Sequence, residues 1–161
     1  MTEDIRTFRA RLDNDPTDVN ALEQLEALLF EAADFDGLYD LYQGRSESMD
    51  IDAARMAWGE LVGRLESRMA TLADATERAA LDLLVGRILD QALELPEDAH
   101  QFYMAAHRLD PDNVRALAAC RDLSLRCQQW GLAFQLAALE ARVTEETDRK
   151  VALFVSMAAY R

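Results

Sequence analysis

Lysine is almost missing from this chain: of seventeen basic residues only Lys150 is a lysine, and seventeen bases face thirty acids for a net charge of −13. Such a surface repels phosphate backbones, and no basic stripe with interleaved aromatics overrides it, so no nucleic acid is expected as a partner. A basic or dipolar protein or peptide is easier to accommodate. Three Pro and six Gly in 161 residues leave few positions that force tight turns, which argues for helices. No apolar run approaches the roughly 18 residues that a membrane span needs. The start Met1-Thr2-Glu3-Asp4 also lacks the basic-then-apolar profile of a signal peptide. A cytoplasmic setting is the default expectation. Cys120 and Cys127 stand seven apart on an expected helix, too far along its axis for a disulfide, and read as two small buried hydrophobes.

What is present is helical periodicity. Apolar residues recur at i, i+3, i+4 and i+7 almost throughout, and strict alternation does not occur. The pattern predicts an all-α chain with helices near 3–13, 18–33, 35–47, 53–72, 76–94, 97–109, 113–128, 131–144 and 148–161. Pro16 and Pro111 end helices, and Asp18 and Asn113 are placed to cap those that follow. Pro96 suits a first helical turn, and Asp74 with Glu77 has capping-box spacing. Gly37 and Gly131 are expected in short turns. Connections of about two to five residues favour antiparallel hairpins. At this length one domain spanning 1–161 is the default. The last helix stops at Tyr160-Arg161 in mid-pattern, so the segment is expected to belong to a longer chain.

The chain partly repeats itself. "RLDNDPTDVNALEQLEAL" at 11–28 is echoed by "RLDPDNVRALAACRDL" at 108–123, and Pro16 and Pro111 are 95 positions apart. In the best unit, 80–113, Ala99 is followed by Tyr103, Ala106 and Pro111. Small residues let helices approach, and an aromatic fills the gap. This small-x3-aromatic-x2-small run before a proline, within 34 residues, resembles the tetratricopeptide repeat. Thirty-four positions on from Ala99 lies Ala133, with Ala137 where the aromatic belongs. Leu117, Cys120 and Ser124 stand at the family's Trp, Leu and Tyr places, with Arg121 for its Gly. Leu22, Leu25 and Leu29 stand there in the first unit, with Glu26 for the Gly. The resemblance covers about two thirds of the chain and implies hairpins stacked as a right-handed solenoid. It is irregular near 48–75, because 95 exceeds two 34-residue repeats by 27. Either the stack is interrupted there, the reading favoured by the potential caps Ser46, Ser48, Asp50 and Asp52, or 35–72 is one long kinked helix.

Motifs for catalysis are thin. Glu97 and His100 have the Glu-x-x-His spacing of di-iron bundles, but Met104 lies three before His107, so the second pair is absent. The two histidines read as exposed helix-face residues, and a metal-binding bundle enzyme remains a remote alternative. There is no Gly-x-Ser-x-Gly elbow, no Cys-x-x-Cys and no phosphate loop. Gly63 and Gly86, in the look-alike strings LVGRL and LVGRI, read as close-packing points between helices. Pairs such as Glu145-Glu146 read as solvated surface. Tyr39, Tyr42, Trp58, Trp130 and Phe134 read as packing residues, with Trp130 covering a turn. No catalytic residue, metal or cofactor is assigned. The resemblance implies a non-enzymatic interaction scaffold with a groove along the first helix of each pair. Its positions would be Asn20, Glu23, Ala27 and Glu31 in the first unit, and Arg115, Ala118, Asp122 and Arg126 in the third. The family's carboxylate clamp is not supported, since Ala118 and Asp122 occupy the places it needs. A structural spacer within a longer solenoid is the alternative. Val151, Leu153, Phe154 and Val155 are expected to expose apolar surface that promotes self-association.

Overall fold

A computed structural model describes residues 2–144 and 147–159 of the chain. The described residues form nine α-helices and no strand: α1 Thr2–Asn14, α2 Val19–Glu31, α3 Phe35–Ser46, α4 Ile51–Met69, α5 Ala75–Arg87, α6 Pro96–Leu109, α7 Val114–Arg126, α8 Trp130–Val143 and α9 Thr147–Ala158. A π-helical turn, Ile88–Ala92, continues α5. Among the described residues no helix is long and apolar enough to cross a membrane. The Glu145-Glu146 pair and the Tyr160-Arg161 terminus lie outside the described residues.

Helix starts follow local chemistry. A helix leaves its first N–H groups without partners, and a short acceptor side chain at the N-cap supplies one. Asp18 accepts from the Ala21 N–H at 2.9 Å, Asn113 from Ala116 at 3.1 Å and Asp74 from Glu77 at 2.7 Å. Asp34 does the same for Gly37 at 2.8 Å, which places Gly37 in the first turn of α3 and not in a loop. Gly131 likewise lies inside α8. The turns are made instead by Ala33, Glu94 and Gln128, all non-glycine residues with φ between 52° and 59°. Each follows a helix end whose orphan carbonyls are taken up by the residues beyond. The Asp34 N–H donates to Leu29 O at 2.9 Å, Gln129 to Ser124 O at 2.8 Å and Leu95 to Leu89 O at 2.8 Å. Backbone satisfaction outweighs the side-chain preference of these positions.

Residues 47–50 separate α3 from α4, so the long kinked helix does not form. Of the four potential caps, Asp50 acts, accepting from the Ala53 N–H at 2.8 Å. Ser46 and Ser48 instead donate their hydroxyls back to the carbonyls of Gln43 and Arg45.

The chain divides into two compact units, Met1–Glu66 and Ser67–Arg161. In the first, α1 contacts α2 and α2 contacts α3. Leu25, Leu29, Leu38, Leu61 and Leu65 are fully buried. Trp58 of α4 sits against Tyr39 and Tyr42 of α3, with ring centroids 5.2 and 5.5 Å away. Met56, also on α4, points out to solvent. In the second unit contacts run in chain order from α5 to α6, α7, α8 and α9. Ala99, Ala106, Ala116 and Ala133 are fully buried, as expected of small residues that allow close helix approach. Leu153 and Met157 of α9 are buried against Ala133, Ala137 and Ala141 of α8, so Leu153 does not join the exposed stripe of Val151, Phe154 and Val155.

Candidate functional site

The second unit contains an open hollow of about 970 Å³, walled by α5 with its π-helical turn, α7 and the start of α9. All four positions singled out on the third unit's first helix, Arg115, Ala118, Asp122 and Arg126, line it. Spaced by three, four and four along one helix, they share a face. Arg87, Asp90 and Glu94 face them from the α5 side, Tyr103 from α6 and Arg149 from α9. The four positions on α2 behave differently. Asn20, Glu23, Ala27 and Glu31 are all exposed, but they do not line this hollow. They are also absent from the walls of the first unit's hollow of about 570 Å³, which lies between α1 and α3 and includes Arg9, Asp13, Asp40 and Arg45.

The floor of the larger hollow is fixed by one carboxylate. Asp90, in the π-helical turn, accepts from Arg126 Nη2 at 2.8 Å on Oδ1 and 2.6 Å on Oδ2, and from the Tyr103 hydroxyl at 3.3 Å. The Asp90 side chain is 6% exposed and that of Arg126 57%, so the pair runs from a buried anion to a cation at the surface. The hydrogen bond to Asp90 raises the Arg126 pKa. Burial, and then the Asp90 charge, push the Tyr103 hydroxyl pKa up. Both groups therefore hold their protons throughout the physiological range. Gly86 makes room for this arrangement: a Cβ there would come within 2.6 Å of the Tyr103 ring.

A matching cluster occurs in the first unit. Tyr42 of α3 donates to Glu26 of α2, and Arg64 of α4 lies 3.2 Å from the same carboxylate and donates to the Tyr42 hydroxyl. Each cluster thus joins a carboxylate from one helix, a tyrosine from the next and an arginine from the one after. The signal in the sequence was the non-glycine residue, Glu26, at the family's Gly place. At the other such place Arg121 lies 3.1 Å from Asp122 and 3.2 Å from the buried Glu140 of α8, the latter an ion pair without hydrogen-bond alignment. Burial raises the Glu140 pKa, against the opposing pull of Arg121 and Arg149.

Several expected residues lie elsewhere. His100 and His107 are half-buried and not exposed; His100 Nε2 and His107 Nδ1 are buried without hydrogen-bond partners, because α6 has neighbours on two sides. Among the described residues no group of three or more His, Cys, Asp or Glu is arranged to hold a metal ion. Cys120 is buried, and burial pushes its thiol up to about 12. Cys127 is exposed, since it falls just past the last turn of α7, where the helix face no longer points inward. Gly63 is no packing point: an added Cβ would meet nothing within 4 Å. Trp130, at the first position of α8, is partly exposed.

Charge is unevenly spread. Residues 1–66 hold sixteen of the thirty acids and six of the seventeen bases, whereas the hollow in the second unit carries four arginines beside Asp90, Glu94 and Asp122. No model of a known protein family matches the chain. No curated protein matches it either.

Proposed function

We propose that the chain is a non-enzymatic interaction module, built of antiparallel helical hairpins of the tetratricopeptide kind, that receives a segment of a partner protein in the hollow of the second unit. The observation that carries this reading is the convergence of the α7 face, Arg115, Ala118, Asp122 and Arg126, with side chains from α5 and α9 around one open, mixed polar and apolar depression. The hairpin reading draws support from the left-handed turn residues. Glu94 and Gln128 are 34 positions apart, and Ala33 precedes Glu94 by 61, one 34-residue repeat plus the 27-residue remainder.

Binding of the full chain to a peptide array tests the assignment. Arg115→Glu is expected to change the set of peptides retained, while Glu23→Lys on the exposed α2 face leaves it unchanged. The opposite result would move the site to α2, and indifference to both would argue against a helix-face groove. A structural spacer in a longer solenoid is the second reading. It is favoured by the exposed Val151, Phe154 and Val155 of α9, an apolar face of the kind that a neighbouring helix covers.

A further inference from the structure

We infer that the smaller hollow, in the first unit, binds a free α-amino acid with an apolar side chain and holds it by both of its charges. This hollow of about 570 Å³ is walled by the C-terminal halves of α1 and α3. Its charged lining is two cations and two anions: Arg9 and Asp13 on α1, Asp40 and Arg45 on α3. Among the described residues none of these four side chains makes an ion pair or a hydrogen bond. Opposite charges that share one hollow yet stand apart are left to water, and a ligand that carries both signs pairs with each at once. A ligand of one sign satisfies one pair and is repelled by the other. The sixteen acids and six bases of residues 1–66 would draw any amine, but inside the hollow the signs balance, and charges beyond about 8 Å are largely screened at physiological ionic strength.

Spacing and surroundings suit a small zwitterion. Arg9 and Asp13 are one helical turn apart, about 6 Å along the axis, and Asp40 and Arg45 about 7–8 Å. An ammonium and a carboxylate on one carbon atom, each making a charge-assisted bond of about 2.8 Å, bridge groups separated by that much. Arg45 is held in place: its guanidinium lies over the Tyr42 ring, 5.6 Å from the centroid, and its Nε is buried with no hydrogen-bond partner. A cation already positioned loses little freedom on taking up a carboxylate. Ser48 gives its hydroxyl hydrogen to the Arg45 carbonyl at 2.9 Å, so towards a ligand its oxygen only accepts, which suits an ammonium. Leu12, Pro16 and Leu41 supply apolar contact for a branched aliphatic side chain, and a Cβ at Gly44 would meet nothing within 4 Å, which leaves the wall between them open.

The test is a ligand-observed NMR titration of the full chain with L-leucine, with 4-methylpentanoate, which lacks the ammonium, and with 3-methylbutylamine, which lacks the carboxylate. Leucine is expected to bind with a millimolar or lower Kd, at least about tenfold more tightly than either analogue. Asp13→Asn/Asp40→Asn is expected to abolish the preference over 4-methylpentanoate, and Arg9→Gln/Arg45→Gln the preference over 3-methylbutylamine. Circular dichroism checks that both variants fold; should the arginine variant not, the acid variant decides alone, since Asp13 and Asp40 are exposed and removing their charges leaves the core untouched. No binding of leucine at about 10 mM, equal binding of leucine and either analogue, or a preference that survives in the acid variant would overturn the inference.

Discussion

The pentapeptides LVGRL at 61–65 and LVGRI at 84–88 are almost the same, yet alanine at their glycines should act with opposite sign. Gly63 lies inside α4 with open space where a Cβ would stand, and Gly86 lies inside α5 against the Tyr103 ring. In a helix interior, replacing Gly by Ala gains about 1 kcal/mol from propensity and reduced unfolded-state entropy. Gly63→Ala should keep that gain. Gly86→Ala gains the same amount but drives a methyl to 2.6 Å from the ring of Tyr103, and forced overpacking costs about 1–3 kcal/mol. The ring has little freedom to retreat, being 2% exposed with its hydroxyl on Asp90, which Arg126 also grips. The net effect of Gly86→Ala is a loss of up to about 2 kcal/mol. Urea unfolding followed by circular dichroism reads both changes, and in a chain of this size each kcal/mol moves the melting temperature by about 2–4 °C. Tyr103→Leu removes the obstructing ring. On that background Gly86→Ala should become neutral or stabilising, a coupling of at least about 1 kcal/mol. If both glycine substitutions stabilise by similar amounts, the close approach of α5 and α6 at Gly86 is not what the geometry implies.

Thiol chemistry separates the two cysteines. With excess Ellman's reagent at pH 8, Cys127 should react at once and Cys120 only on unfolding, since Cys120 is buried with its thiol raised to about 12. Two rapidly titrating thiols in the native protein would contradict that burial. The buried Glu140 shapes the pH dependence of stability. Its folded pKa lies above the ordinary 4.5, so the native state binds the proton more tightly than the unfolded chain. Its contribution to stability is therefore greatest at acidic pH and diminishes as pH rises through the window above 4.5. Glu140→Gln should flatten that part of the stability curve measured by denaturation across pH 4–8; an unchanged slope would count against a raised pKa.

Half of the candidate site was legible in the sequence. Arg115, Ala118, Asp122 and Arg126 could be placed on one face because a helical period fixes faces without reference to anything else. Their counterparts could not. Arg87 sat within a string noticed for its glycine, and no local pattern brings Asp90 or Arg149 to the same hollow. The α2 positions obeyed the same period and share an exposed face, but periodicity does not say whether neighbouring helices rise around a face to form a hollow.

Where helices begin is written locally, because capping joins residues three apart: Asp18, Asp74 and Asn113 bind the backbone N–H groups their positions indicate. That the chain is helical is written the same way, through a period that propagates from turn to turn. Tertiary structure decided the rest. A Cβ at Gly86 would meet a ring and one at Gly63 nothing within 4 Å, and Asp90 finds Arg126 across 36 positions. These outcomes depend on which surfaces pack together, and packing is a property of pairs of helices that neither helix encodes alone.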